Sequence, residues 1–202
     1  NGDDAQPNAQ GIAYYRSMFE ECKKYGIKIF ATMLHYDIPV QLVLKYGGWK
    51  SRKTIDFYLR YAKVLFEEYG DLVDFWLPFN EFNAGRFAPW DGVCLIPDQE
   101  ENLNQAVFQC LHHQFLASAR AVALCHQMLP GAKIGGMIAR FTTYPATCKP
   151  QDALQALQDD QYANWFYTDI MARGRYPAYM DRYFDRFHIR IEKEPGDDEI
   201  LR

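Results

Sequence analysis

No Cys-x-x-Cys pair, no His-Glu-x-x-His and no Gly-x-Gly-x-x-Gly occurs in this sequence, and each absence removes a class of function. The first two exclude zinc ribbons and helix-borne zinc sites; the third excludes the glycine-rich turn that cradles a dinucleotide pyrophosphate. The five cysteines, Cys22, Cys94, Cys110, Cys125 and Cys148, are odd in number and widely spaced. They predict reduced thiols, not a disulfide framework. Basic clusters are missing as well: 22 Lys and Arg are interleaved with 26 Asp and Glu for a net charge of -4, which argues against a nucleic-acid partner. No apolar run approaches a membrane span, and no leader-like n-region, apolar core and cleavage site open the chain. These absences predict a cytoplasmic protein with no membrane partner.

What is present suits a globular domain, since 49% hydrophobic and 16% aromatic residues in 202 can bury a sizeable core. Cys110, His112, His113, Cys125 and His126 fall on one predicted helix, but adjacent histidines point about 100° apart there, so packing and not a metal is expected. Both ends read as cut from something longer. The chain opens on a polar, helix-breaking run from Asn1 to Asn8, and closes on Asp197 to Arg202, a helical first turn that leads nowhere.

In order, Asn8 caps a helix with Ile12, Tyr15, Phe19 and Cys22 on one face, and Gly26 supplies its left-handed stop. Lys28 to Leu34 reads as a strand covered on both faces, delivering His35, Tyr36 and Asp37 to its carboxyl end. Ser51 is expected to cap a second long helix with Ile55, Tyr58, Leu59, Ala62 and Phe66 inward. Asp74 to Phe79 is the next strand. A loop to about Gln99, with Phe87 and Trp90 suggesting that it folds back, precedes a helix over 101–129. A third strand, Lys133 to Ala139, holds Gly135 and Gly136, which point to close packing. A helix from Gln151 to Arg173 and a shorter one from Pro177 to Phe187 follow. No internal repeat is visible. The alternation predicts an α/β fold of consecutive right-handed β/α units on a parallel sheet, either open and doubly wound or an arc of a (β/α)₈ barrel.

The stretch that carries chemistry is Phe75 to Asn83, Phe-Trp-Leu-Pro-Phe-Asn-Glu-Phe-Asn. Asn80 and Glu81 fall where a strand ends, and the carboxyl ends of parallel strands are where such folds bind ligands. Glu81, flanked by Phe79 and Phe82, is a candidate proton donor. His35 at the end of the preceding strand makes polar groups from successive strands converge, which favours the barrel. Asp37, two residues before Pro39, reads as a turn residue. On a regular strand Asn80 and Glu81 would face opposite ways, so the strand must turn irregular there.

Thr32-Met33-Leu34-His35-Tyr36-Asp37-Ile38-Pro39, then Tyr46-Gly47-Gly48-Trp49, then Phe79-Asn80-Glu81, resembles the family 1 glycoside hydrolases, retaining β-glycosidases on a (β/α)₈ barrel. Asn80-Glu81-Phe82-Asn83, in place of the common Asn-Glu-Pro, and Tyr36 in place of Trp are similar to the bacterial 6-phospho-β-glucosidases. The stretches 144–150, 172–177 and 195–201 extend the likeness over essentially the whole chain.

The resemblance implies a single partial barrel domain over residues 1–202, truncated at both ends and holding strands 3 to 5 with flanking helices. It implies that Glu81 is the general acid/base, that Asn80 binds the sugar 2-hydroxyl and that His35 bonds the glycone. No cofactor is implied. The Thr-Glu-Asn-Gly-like stretch of the family's nucleophile does not occur here, nor do its phosphate-binding residues, so the segment alone is expected to be inactive and, with open sheet edges, to self-associate or be poorly ordered. The expected substrate is a β-glucoside phosphorylated at the 6-position; homo-oligomerisation of the intact enzyme is left open. Other readings are an unphosphorylated β-glucosidase, a 6-phospho-β-galactosidase, a noncatalytic carbohydrate-binding or structural piece, or a nucleotide-binding doubly wound domain.

Overall fold

A computed structural model describes all of residues 1–202. Helix α1 (Ala9–Lys24) starts at Asn8, whose Oδ1 accepts from the N–H groups of Gln10 and Gly11 at 3.0 and 3.2 Å. It stops before Gly26, which adopts φ +69°. Ile12, Phe19 and Cys22 pack on the core; Tyr15, expected inward, is instead 51% exposed and meets Tyr14 edge-on. Strand β1 (Phe30–Leu34) follows, then α2 (Val40–Tyr46), α3 (Lys53–Tyr69) and β2 (Phe75–Phe79). The next loop contains two short helices, α4 (Ala84–Phe87) and α5 (Pro89–Val93), before the long α6 (Leu103–Met128) and β3 (Lys133–Ile134). Four more helices complete the chain: α7 (Pro150–Asp160), α8 (Phe166–Arg173), α9 (Asp181–Arg186) and α10 (Asp197–Leu201).

The three strands are parallel and lie in chain order, β1-β2-β3, with Phe30 opposite Phe75, Leu34 opposite Phe79, and Trp76 opposite Ile134. Helices α3 and α6 bury the sheet through aromatic contacts. Trp76 meets Phe66 edge-on at 5.1 Å, Phe79 stacks on Tyr58 at 4.7 Å, and Phe82 stacks on Phe115 at 5.2 Å. Each such ring removed from water is worth about 1.5–3 kcal/mol. Of the two polar atoms carried in with this group, the Tyr58 hydroxyl donates to the Pro78 carbonyl at 2.7 Å, while the buried Trp76 Nε1–H finds no partner.

Several local expectations are corrected. β1 is an edge strand with only Met33 buried and Phe30 60% exposed, so it is not covered on both faces. Ser51 does not cap α3 with its side chain; its carbonyl receives the Thr54 N–H at 3.1 Å, while the Thr54 hydroxyl donates to Gly48 O at 2.6 Å. The loop after β2 does fold back, but on Val93, Cys94 and Leu95, which are buried, leaving Phe87 and Trp90 at the surface. Its close turn needs glycine, because a Cβ on Gly92 would lie 2.1 Å from the Gly85 nitrogen. The expected helix from Gln151 to Arg173 is interrupted by a π-helical turn over Gln161–Trp165.

The third strand is shorter than its sequence predicts. Gly136 is there for close packing, since a Cβ would strike the Met171 sulfur at 2.1 Å, whereas Gly135 has open space around its own. Beyond Ile134 the chain still runs alongside β2, with Gly135 N–H donating to Trp76 O at 3.1 Å and Phe82 N–H donating to Met137 O at 3.1 Å. Side chains then replace the ladder. Asn83 accepts from Ala139 N–H at 2.9 Å and donates to Ala139 O at 2.7 Å and Ala163 O at 2.9 Å. Asn164, on the π turn, brackets Phe141 in the same way, at 2.9 and 2.6 Å.

Candidate active site

The ladder between β1 and β2 ends with Asn80 N–H donating to Leu34 O at 2.9 Å, which seats Asn80 buried between the two strand ends. At the next residue the backbone leaves the extended region, with Glu81 at φ +31°, supplying the irregularity that adjacent polar residues on one rim require. The Glu81 N–H faces the Met137 sulfur at 3.2 Å. Its side chain is half-buried, and the Tyr36 hydroxyl donates to Oε2. Tyr36 itself has φ +71°.

His35 is exposed, its ring edge-on to that of Tyr36 at 5.1 Å. Asp37 uses Oδ1 to accept the His35 N–H at 3.0 Å, a bond that closes the turn after β1. The ionisation of Tyr36 is pushed well above the usual phenol range, by burial first and then by the hydrogen bond and charge of Glu81, with Asp91 of α5 adding to it. The rim thus gathers a carboxyl, a phenol that keeps its proton, a buried amide and an exposed imidazole. Such a set can bind a hydroxyl-rich ligand and move a proton.

His35, Asn80 and Glu81 therefore all stand at the carboxyl ends of two neighbouring strands, the positions the sequence gives them. Sequence reasoning quoted Tyr36 and Asn83 without assigning them a part, and passed over Asp91 and Asn164. A tyrosine directly after a strand-end histidine was the available signal for Tyr36; nothing local marked the others. The histidines of α6 are occupied in packing. His112 lies between Tyr176 OH at 2.9 Å and Asp197 Oδ2 at 3.0 Å, and His113 Nδ1 donates to Trp49 O at 2.8 Å.

A chain with this sequence and this rim is a glycoside-hydrolase domain, and the family profile described as glycosyl hydrolase family 1 matches it over residues 1–202. The chain belongs to that family. Among curated proteins it is 47% identical to the 6-phospho-beta-glucosidase AscB of Escherichia coli (strain K12), over 100% of this chain and 42% of that protein. It is 45% identical to the aryl-phospho-beta-D-glucosidase BglH of Bacillus subtilis (strain 168), over 100% of this chain and 43% of that protein. Among solved structures, the family 1 β-glucosidase from Thermotoga maritima superposes with a TM-score of 0.83 at 25% identity, over 99% of this chain and 44% of that one. The chain thus spans under half the length of the relatives it matches. Its parallel sheet with flanking helices is part of a (β/α)₈ barrel, and the open doubly wound alternative falls away.

Proposed function

We propose that this chain is the part of a retaining 6-phospho-β-glucosidase that carries the acid/base, Glu81, and two glycone-binding residues, His35 and Asn80. The observation that carries the reading is the half-buried Glu81 carboxyl at the end of β2, held by Tyr36 beside buried Asn80. The 6-phospho-glucosidase names of its relatives support the phosphorylated substrate, which implies a glucoside phosphorylated on uptake and cleaved in the cytoplasm. In the first step Glu81 gives its proton to the glycosidic oxygen while a second carboxylate attacks the anomeric carbon; in the next, Glu81 takes a proton from water as that water displaces the second carboxylate. Retaining geometry needs the two carboxyl groups about 5–5.5 Å apart. Asp37 is committed to the turn bond, so the nucleophile comes from outside these 202 residues, in a longer chain of which they form three strands of the barrel.

The test is Glu81→Gln in the full-length enzyme, assayed on aryl β-glucoside 6-phosphates of graded leaving-group ability. A good leaving group needs little protonation, so losses should grow as the leaving group worsens. Uniform loss across the series would refute the acid/base role. Running the same substrates without the 6-phosphate separates this reading from an unphosphorylated β-glucosidase, which would prefer them.

A further inference from the structure

We propose that Tyr36 is a positioning residue for Glu81: its hydroxyl fixes the carboxyl at the rim and donates to it in the half of the cycle in which Glu81 is ionised. This rests on Glu81 being the acid/base. Three observations converge on it. First, the bond from Tyr36 OH to Oε2 is the single hydrogen bond of the Glu81 side chain, so no other hydrogen bond in this chain orients that carboxyl. Second, four residues other than glycine take positive φ, Tyr36, Glu81, Cys94 and His188, and two of them are this bonded pair. Side chains seldom tolerate that region, and where it occurs at a rim the surroundings hold it in place.

Third, the phenol keeps its proton. Burial and the Glu81 charge both disfavour the phenolate; Asp91 from α5 works in the same sense and the Asn80 amide in the opposite one. The remaining neighbours are the His35 ring, edge-on at 5.1 Å, and Asp37, whose Oδ1 accepts the His35 N–H. Toward a carboxylate, a protonated phenol can only donate, and donation favours the ionised form. Tyr36 therefore orients the carboxylate while Glu81 is ionised.

Tyr36→Phe in the full-length enzyme, assayed on p-nitrophenyl-β-glucoside 6-phosphate, removes one oxygen and keeps the ring. We expect kcat to fall about tenfold with KM within about twofold. In a Glu81→Gln background the same substitution should change kcat by less than about twofold, because the partner is already gone. Equal losses in both backgrounds would overturn the proposal. The leaving-group series tests Glu81 separately: uniform loss there refutes the acid/base reading, while the coupling between the two positions still reports whether Tyr36 acts through Glu81. If Tyr36→Phe fails to fold, NMR of Cζ-labelled tyrosine decides. The Tyr36 phenol should ionise at lower pH in Glu81→Gln than in the native protein, and an unchanged titration would overturn the proposal.

Discussion

Arg52 and Asp197, 145 residues apart in sequence, form a bidentate ion pair that ties the start of α3 to the start of α10. Asp197 is fully buried and also accepts from His112 Nε2 at 3.0 Å and from the Glu194 N–H at 2.9 Å. Burial alone would raise its pKa, but Arg52 and His112 outweigh burial and hold the carboxyl well below its ordinary 3.8.

Asp197→Ala should therefore destabilise the protein, leaving Arg52 and His112 without their acceptor. Arg52 keeps 31% of its side chain exposed, so the loss belongs at the lower end for a broken buried pair, roughly 2–3 kcal/mol. Urea unfolding at pH 7 measures it. Because the folded pKa is depressed, the stabilisation is complete above the unfolded value of 3.8 and is lost as pH falls below it, so native and variant midpoints should converge in acid. A gap that stays constant to the lowest pH would contradict the assignment.

The α6 histidines set a second pH dependence at higher pH. Burial lowers the pKa of both His112 and His113 below the ordinary 6.5, against the pull of Asp197 on the first and of the Trp49 carbonyl on the second. The unfolded chain then takes up protons near pH 6.5 that the folded chain refuses, so stability should fall as pH drops below that value. The slope is at most about 1.4 kcal/mol per pH unit for each histidine. His113→Gln should flatten the curve between pH 6.5 and 5 even if it lowers the overall midpoint; an unchanged slope would show that His113 is not involved.

At the rim, His35→Ala and Asn80→Ala in the full-length enzyme should each lower kcat/KM by roughly 10² or more, because hydrogen bonds to glycone hydroxyls strengthen in the transition state. Asn80 is buried and bonded to β1 through its backbone, so its variant requires a melting control; His35 is exposed and does not share that constraint. Effects of tenfold or less on folded variants would argue against glycone binding.

Element identity was largely legible because its causes are local. Asn8 and Gly26 mark the limits of α1 by capping chemistry, and Phe75–Phe79 is the short apolar run expected ahead of Asn80 and Glu81. Failures came where a distant partner decides. β1 is open because of its place at the sheet edge, Ser51 lost its capping part to the Thr54 and Gly48 pairing, and the bond from Tyr36 to Glu81 depends on two positive φ angles that neither residue type announces. The Arg52 and Asp197 pair had no sequence signal, since the partners lie on elements far apart in the chain.

Asn83 and Asn164 give the wall after β3 an unusual mechanical character. Asn83 bonds Ala139 and Ala163 at once, and Asn164 holds Phe141 from the same π turn, so the segment bearing Glu81, the wall and the helix beyond it are riveted through two amides. A rivet transmits displacement where a zipper of ladder bonds would absorb it one rung at a time. A shift of the α7–α8 junction should thereby reach Asn83, two residues from Glu81.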